Sequence, residues 1–481
     1  MCELSAILAA HDAGAGYVVA PAGYGKTHLI AESTSHSAGR QLVLTHTYAG
    51  VNALRRKMRE LGVSYRLYHI DTIASWALRL CLSYSATSGW NTERPDGNEQ
   101  WSALYEACAR LLDCAFIRRI VRSSYAGLYV DEYQDCSTAQ HGIVLKLARD
   151  LPTRILGDPL QGIFDFEGQA PVDWERDIAG AFPLLGQLDV PHRWIRAGAD
   201  NLGNWLSVVR TRLERGEPID LANGLPAEVT FRRADNEGAL FQAQGNTCRY
   251  FNCDRQHTVI AIHKGSQQYK AKCHVLARNL SGRFSSIEEI EGKSLFSFVA
   301  KISRARTNAA CLKQVIALAK LCMTAVEANL PAATIRGEHV NIRVNTRNPE
   351  AAQRANEYLA QAGSAEMARL LMALRVTPGI EVVRSDLYGR VMGVLRKHTL
   401  HPEFSLAEAA EKYHGEFRYK GRPVGRRKLI GTTLLVKGLE FDHAIVLDAA
   451  SLSKKELYVA LTRGARSLTI VSNNPVLTPG D

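Results

Sequence analysis

The sequence predicts an α/β chain built from two parallel-sheet domains, the second interrupted by a mostly helical segment. Three observations carry this. Short apolar runs alternate with helical patterns through the first half of the chain. Each of those runs ends in a small or polar cluster. Strand-like runs then return near the C-terminal end, after a long helical stretch. Strands that alternate with helices form parallel sheets with helices on both faces.

The elements follow in order. Gly16–Ala20 (GYVVA) reads as a strand, followed by a Gly-rich loop and a helix from Lys26. Gln41–Thr45 is a second strand, with a helix over Val51–Leu61. Ala126–Val130 is a third and Arg154–Leu156 a fourth, ending in Gly157-Asp158. Val259–Ile262 and Val275–Ala277 read as strands of a second sheet. Helical patterns dominate from about 285 to 413, as in Ala310–Ala328 and Ala351–Leu374. Strand-like runs resume at Leu429–Thr433, Ala444–Leu447 and Ser467–Ser472. In parallel sheets the ligand sits at the carboxyl ends of the strands.

Length and composition bound the function. At 481 residues the chain is too long for one ordinary core. With 46% apolar and 22% charged residues it reads as a soluble globular protein. A net charge of +11 suits a polyanionic partner, although an anionic membrane surface would attract it too. Ten cysteines without a C-x-x-C pair read as reduced thiols of an intracellular protein. No stretch approaches the roughly 20 apolar residues needed to span a bilayer. The start lacks a basic lead and a cleavage pattern, so no signal peptide is expected and the expected location is cytoplasmic.

Ala20-Pro21-Ala22-Gly23-Tyr24-Gly25-Lys26-Thr27 follows a strand and opens a helix. Such a loop aims backbone N–H groups and a helix N-terminus at phosphate oxygens. Gly23 and Gly25 allow close approach, Lys26 reaches the β and γ phosphates, and Thr27 holds Mg²⁺. Ala20 stands where the general motif has Gly. Asp131-Glu132 ends the third strand. A carboxylate there binds Mg²⁺ directly or through water, and its neighbour orients or deprotonates an attacking water.

Further motifs occur in an order that resembles the UvrD/Rep/PcrA-like superfamily 1 helicases. Val130-Asp131-Glu132-Tyr133-Gln134-Asp135 resembles the family's DEFQD, and the phosphate loop its AGSGKT. Thr45-His46-Thr47 is similar to its TFTN, and Asp71-Thr72-Ile73 to its TFH. The stretch from Gly157 to Gly168 resembles GDDDQSIYGFRG. His192-Arg193-Trp194 stands where the family has NYRS. Lys437 to Phe441 and Leu457 to Arg463 match KGLEF and LYVALTR.

The resemblance implies two RecA-like domains with ATP between them. It places the first domain at 1–190, with a rudimentary helical insertion at about 83–122. The second covers 191–284 and 426–481, split by a helical subdomain at 285–425. It implies that Gln161 senses the γ-phosphate and that Arg193 and Arg463 are fingers from the second domain. Arginine suits that role because its planar fork is permanently charged. Ala22, Gly23, Tyr24, Gly25, Lys26, Thr27 and His28 would line the nucleotide, with Gly438 nearby and Glu440 at the ribose. His192 stands where the family stacks a tyrosine on adenine. Thr45, His46, Thr47, Thr72, Phe164 and Phe166 would meet a single strand, whose bases stack on aromatic faces.

There are departures. No glutamine precedes the phosphate loop where the family reads adenine. His28 replaces an Arg, and Leu434 a His. The implied function is an ATP- and Mg²⁺-dependent single-stranded DNA translocase or helicase moving 3′ to 5′ on single-stranded or tailed DNA. The alternative is a DNA-gated ATPase that regulates a nuclease subunit. In layout the chain is similar to small UvrD-like subunits of antiphage systems such as Gabija.

Three weaker signals remain. Cys248, Cys253, His257 and His263 read either as a metal cluster or as part of a buried strand. The basic run Arg418, Lys420, Arg422, Arg426, Arg427 and Lys428, with Phe417 and Tyr419 interleaved, reads as a phosphate-backbone contact or a solvated hinge. Arg55, Arg56, Lys57 and Arg59 follow a strand-binding motif and read as backbone contacts.

Overall fold

The computed structural model describes residues 3–10, 14–93, 95, 97–164, 170–288, 292–420 and 427–480, without the side chains of 417–420. Two six-stranded sheets dominate, and every pairing in both is parallel. The first contains β1 (Gly16–Val19), β2 (Gln41–Thr45), β3 (Tyr68–Thr72), β4 (Gly127–Val130), β5 (Thr153–Gly157) and β6 (Leu184–Gln187), in the order β3-β2-β4-β5-β1-β6. Strands β2, β4 and β5 are buried at every residue, as expected of strands covered on both faces.

A short antiparallel ribbon pairs β7 (Ile219–Asp220) with a strand at the far end of the chain, β14 (Val476–Leu477). The second sheet contains β8 (Val229–Arg233), β9 (Val259–His263), β10 (Ser285–Ser286), β11 (Lys428–Thr432), β12 (Phe441–Val446) and β13 (Gly464–Ser472). Its order is β10-β11-β9-β12-β13-β8. The chain leaves this sheet after β10 and returns at β11. Between them, six longer helices from Lys293–Arg304 to Leu406–Lys420 form a subdomain with its own core around Leu312, Val315, Leu370, Leu374, Val391 and Leu395. No described helix is long and apolar enough to cross a membrane.

The structure corrects several sequence expectations. Val275–Ala277 is not a strand but part of the helix Gln267–Asn279. Cys273, Leu276 and Ala277 are its buried residues, a spacing of three and four that lines one helical face. Ala351–Leu374 is two helices, Pro349–Ala360 and Ser364–Val376, with Gly363 at the N-cap of the second. The helix expected over Ala310–Ala328 is Asn308–Cys322, and Ala325 beyond its end has φ +52°. Ser285 and Ser286, expected in the helical insertion, pair with Leu429 and Ile430 at the edge of the second sheet.

The helices Gly97–Leu111 and Ala115–Ser124 cover a face of the first sheet. Leu104, Cys108, Leu111, Ile117 and Val121 share one cluster with Leu42 and Leu44 of β2, Val130 of β4 and Ile155 of β5. They are a layer of the domain itself. A second cluster spans both sheet domains: Ala22, Tyr24 and Leu160 pack with Trp194, Leu206, Val209, Ile260 and Val446.

The junction of β12 and β13 carries a register irregularity between Phe441 and His443, opposite Gly464. A Cβ at Gly464 would lie 2.6 Å from the Ser467 carbonyl oxygen and 3.0 Å from the Ala444 nitrogen, both backbone atoms. Gly464→Ala is therefore expected to force the two strands apart at a cost of about 1–3 kcal/mol. A thermal melt checks this: the midpoint falls by several degrees, whereas an unchanged midpoint contradicts the packing.

Candidate nucleotide and strand site

The loop between β1 and the helix Lys26–Ser35 is shaped by two glycines in the left-handed region, Gly23 at φ +79° and Gly25 at φ +95°. Gly25 is the N-cap and supplies no capping side chain to the first turn. A Cβ at Gly23 would lie 2.9 Å from Trp194 Cζ3, so a side chain there would wedge the second domain away. The Gly23 carbonyl accepts from the Arg193 N–H at 2.9 Å. A Cβ on Gly25 would come within 3.3 Å of the His192 ring, which lies over the loop. His28 is exposed on the helix.

Lys26 Nζ sits 2.8 Å from Glu132 Oε1 and 3.6 Å from Asp131 Oδ1. Burial would lower the Lys26 pKa, but the two carboxylates overcome it and raise it. Burial pushes Asp131 up to about 6 against the pull of Lys26. Burial would also raise Glu132, yet Lys26 holds it at about 2. Glu132 has φ +55°, a left-handed conformation that costs a non-glycine residue about 1–2 kcal/mol. Its Oε2 accepts from Gln134 Nε2 at 2.6 Å, and Gln134 Oε1 accepts the Asp158 N–H at 2.9 Å. Strand ends β4 and β5 are thus joined through one glutamine.

Thr27 and Asp131 offer the hard oxygen donors that Mg²⁺ takes. A cation beside Asp131 would supply the positive charge that its burial calls for, so these residues fit the ion.

Asp158, at 0% exposure, is the meeting point of the loops. Its carboxylate accepts from the Ala22 N–H at 3.2 Å, the Leu160 N–H at 3.2 Å and Gln161 Nε2 at 2.8 Å. Arg210, on the second-domain helix Asp200–Arg215, adds an ion pair at 2.7 Å. The same guanidinium nitrogen donates to Tyr458 Oη at 2.9 Å.

The second domain delivers two more arginines. Arg463, 2% exposed, donates to Gln161 Oε1 at 3.4 Å and to the carbonyls of Val459 and Leu439 at 2.9 and 3.1 Å. Arg193 donates to the Thr462 carbonyl at 2.5 Å and pairs with Glu440. Gly438 precedes this pair with φ +75°. The structure therefore brings together Lys26, Asp131, Glu132, Gln161 and Arg463, with Arg193 and Glu440 at the margin.

The residues expected to meet a strand divide. Phe164 lies under Lys437, whose Nζ is 4.4 Å from the ring centroid. His46 is half-buried, 3.3 Å from Cys136 Sγ, and burial together with Lys437 pushes its imidazole down to about 4. Thr47 is exposed and caps a helix, accepting from the Gly50 N–H at 3.0 Å. Thr45 is 1% exposed, and Thr72, at 3%, caps the helix Ile73–Ser83; both side chains serve the fold in this conformation. Phe166 lies outside the described residues, as do Arg422 and Arg426 of the basic run and the side chains of Phe417 to Lys420. Arg55 donates to the Ile70 carbonyl, and Lys57 pairs with Glu60.

The zinc reading finds no support. Among the described residues no three His, Cys, Asp or Glu side chains gather as metal ligands. Cys248 is buried in the core, where desolvation pushes its thiol up to about 12. His257 hydrogen-bonds His443 at 3.0 Å instead.

Sequence reasoning passed over the Asp158–Arg210 pair, the Gln134 bridge and the contacts of Lys437 with Asp135 and the Gln161 carbonyl. One signal was present: Arg210 stands on the buried face of its helix with Leu206, Val209 and Leu213. A cation on an apolar face needs a buried partner. Arg210→Met is expected to leave Asp158 charged and uncompensated, at a cost of about 3–5 kcal/mol. Thermal unfolding reads this directly, and a midpoint equal to the wild type would mean that the pair does not hold the domains.

Residues 97–172 match the family model of the UvrD/REP helicase N-terminal domain. No curated protein matches the chain. Two similar solved structures are an arterivirus nonstructural protein 10 helicase in complex with DNA and the Pif1 helicase of Candida albicans. The first is 14% identical with a TM-score of 0.28, covering 55% of this chain and 51% of its own. The chain thus spans about half of that protein's length. The second is 9% identical with a TM-score of 0.37, covering 99% of this chain and 95% of its own. Over residues 97–172, which hold the Asp131-Glu132 turn and Gln161, the chain is similar to the UvrD/REP helicase N-terminal domain.

Proposed function

We propose that the cleft between the two sheet domains binds ATP with Mg²⁺ and hydrolyses it to drive the chain along single-stranded DNA, 3′ to 5′. One observation carries this reading. Lys26, Glu132 and Gln161 of the first domain converge with Arg463 of the second, within 2.8 Å for Lys26–Glu132 and 3.4 Å for Arg463–Gln161. Phosphoryl transfer needs this set: cations around the phosphates, a carboxylate for the water, and an arginine on the developing charge.

The residues divide the work as follows. The loop N–H groups and Lys26 hold the phosphates. Thr27 and Asp131 hold the Mg²⁺, which neutralises charge between the β and γ oxygens. Lys26, drawn to the phosphates, releases Glu132, which is ionised at neutral pH and takes the proton of the attacking water. Gln161 contacts the γ-phosphate. Arg463 and Arg193 stabilise the transferring group, and Glu440, paired with Arg193, meets the ribose. The strand lies over His46, Thr47, Phe164 and Phe166, so that Lys437 joins its path to the cleft.

A second reading has one observation in its favour. The helices of 97–124 are packed into the first sheet's core, so among the described residues this domain has no separate lobe to grip a duplex. On that reading the chain is a DNA-gated ATPase that serves a partner nuclease and unwinds little alone. Each base-pair step opened costs about 0.6–2.2 kcal/mol of stacking, which a motor without duplex grip loses when the fork recloses.

Lys26→Ala, Glu132→Gln and Arg463→Ala are each expected to lower ATPase activity by about 100-fold or more. Glu132→Gln turning over at the wild-type rate removes that carboxylate from the chemistry. On 3′-tailed duplexes of increasing length the purified chain is expected to show strong strand-stimulated ATPase and poor unwinding. Processive unwinding by the chain alone favours the plain helicase over the partner-dependent ATPase.

A further inference from the structure

Away from the cleft, a cavity of about 370 Å³ opens between the helices Gln267–Asn279, Lys293–Arg304 and Asn308–Cys322. It lies where the second sheet domain meets the helical subdomain, and it shares no lining residue with the nucleotide cleft. Pockets of about 300–1,000 Å³ hold ligands of small-molecule size.

The lining is cationic. Lys270, Lys293, Lys301 and Arg384 contribute, and among the described residues no acidic side chain lines the cavity. Arg384, 7% exposed, is fixed rather than mobile. It holds Glu288 by two hydrogen bonds at 2.5 and 2.7 Å and donates to Ser294 Oγ at 2.8 Å. Glu288 cancels Arg384, which leaves the charge of the three lysines. His274, also in the lining, reports the resulting field: burial first, and then Arg384, push its imidazole down to about 4.

One wall is apolar. Phe298 and Leu318 are buried there, and Leu321 is 48% exposed beside the cations. A ligand that satisfies both sides carries phosphate at one end and a flat apolar group at the other. Lysines suit phosphate as compact point charges.

We propose that this cavity binds a nucleotide unit, its phosphate on Lys270, Lys293 and Lys301 and its base against Leu318 and Leu321. The unit is either a free nucleotide or one residue of a nucleic-acid strand; the chemistry recognised is the same. The site stands whether or not the cleft hydrolyses ATP.

The test compares the full-length protein with its Lys293→Met/Lys301→Met double variant in two arms. Both lysines are exposed, so the fold is expected to survive, and Lys293→Arg/Lys301→Arg is expected to restore binding. In the first arm, anisotropy of a labelled oligo(dT) is followed against salt. If a strand occupies the cavity, affinity falls about tenfold or more, and the slope of log affinity against log salt shrinks by about 0.7 for each phosphate that is no longer neutralised. In the second arm, calorimetry counts bound ADP. If a free nucleotide occupies the cavity, the wild type takes up two per chain and the double variant one. Unchanged oligo(dT) affinity and slope, together with one ADP per chain in both proteins, overturn the proposal.

Discussion

The buried carboxylate of Asp158 is the constraint on which the cleft depends. It lies at the end of β5 with no exposure, and removing such a charge from water costs several kcal/mol. The cost is offset only if its oxygens are fully used. Here the Ala22 N–H, the Leu160 N–H, the Gln161 amide and the Arg210 guanidinium all converge on it. One of these comes from the loop after β1, two from the turn after β5, and one from the second domain. Moving Arg210 away strands a charge, so the two domains and both loops are held in one geometry by a single ion.

Around that fixed point the remaining charges are arranged to be exchangeable. Lys26 is neutralised by Glu132 and Asp131, Lys437 by Asp135, and Arg193 by Glu440. None of these cations is held by a partner as thoroughly enclosed as Asp158. On the proposed reading, entering phosphates draw Lys26 and the arginines to themselves and release Glu132 for the water. Lys437 is the most connected of the three. It touches Asp135, the Gln161 carbonyl and the ring of Phe164, so a change beside Gln161 reaches the aromatic through one side chain.

Much of this architecture was legible in the sequence because the central strands are apolar on both faces. GYVV, QLVLT and GLYV are unbroken runs with their ends in polar residues. The edge strands were not legible. Tyr68–Thr72 carries His and Asp, and Leu184–Gln187 is half exposed, so neither shows a run or an alternation. Val275–Ala277 misled because three apolar residues in a row suit a strand and a helix face equally; the flanking Cys273 decides for the helix. Among the site residues, Lys26, Asp131 and Glu132 are local to their motifs and were visible as such. Asp158–Arg210 was not, because its partners are 52 residues apart and no spacing rule links them.

The central claim is that events in the cleft move the chain along a strand. Translocation kinetics on single-stranded DNA test it most directly. Oligo(dT) strands of increasing length carry a fluorophore at the 5′ end, and ATP is mixed with pre-bound protein. The account predicts a lag before the signal that grows in proportion to strand length and vanishes in Lys26→Ala. ATP hydrolysis with an arrival time independent of length would contradict it.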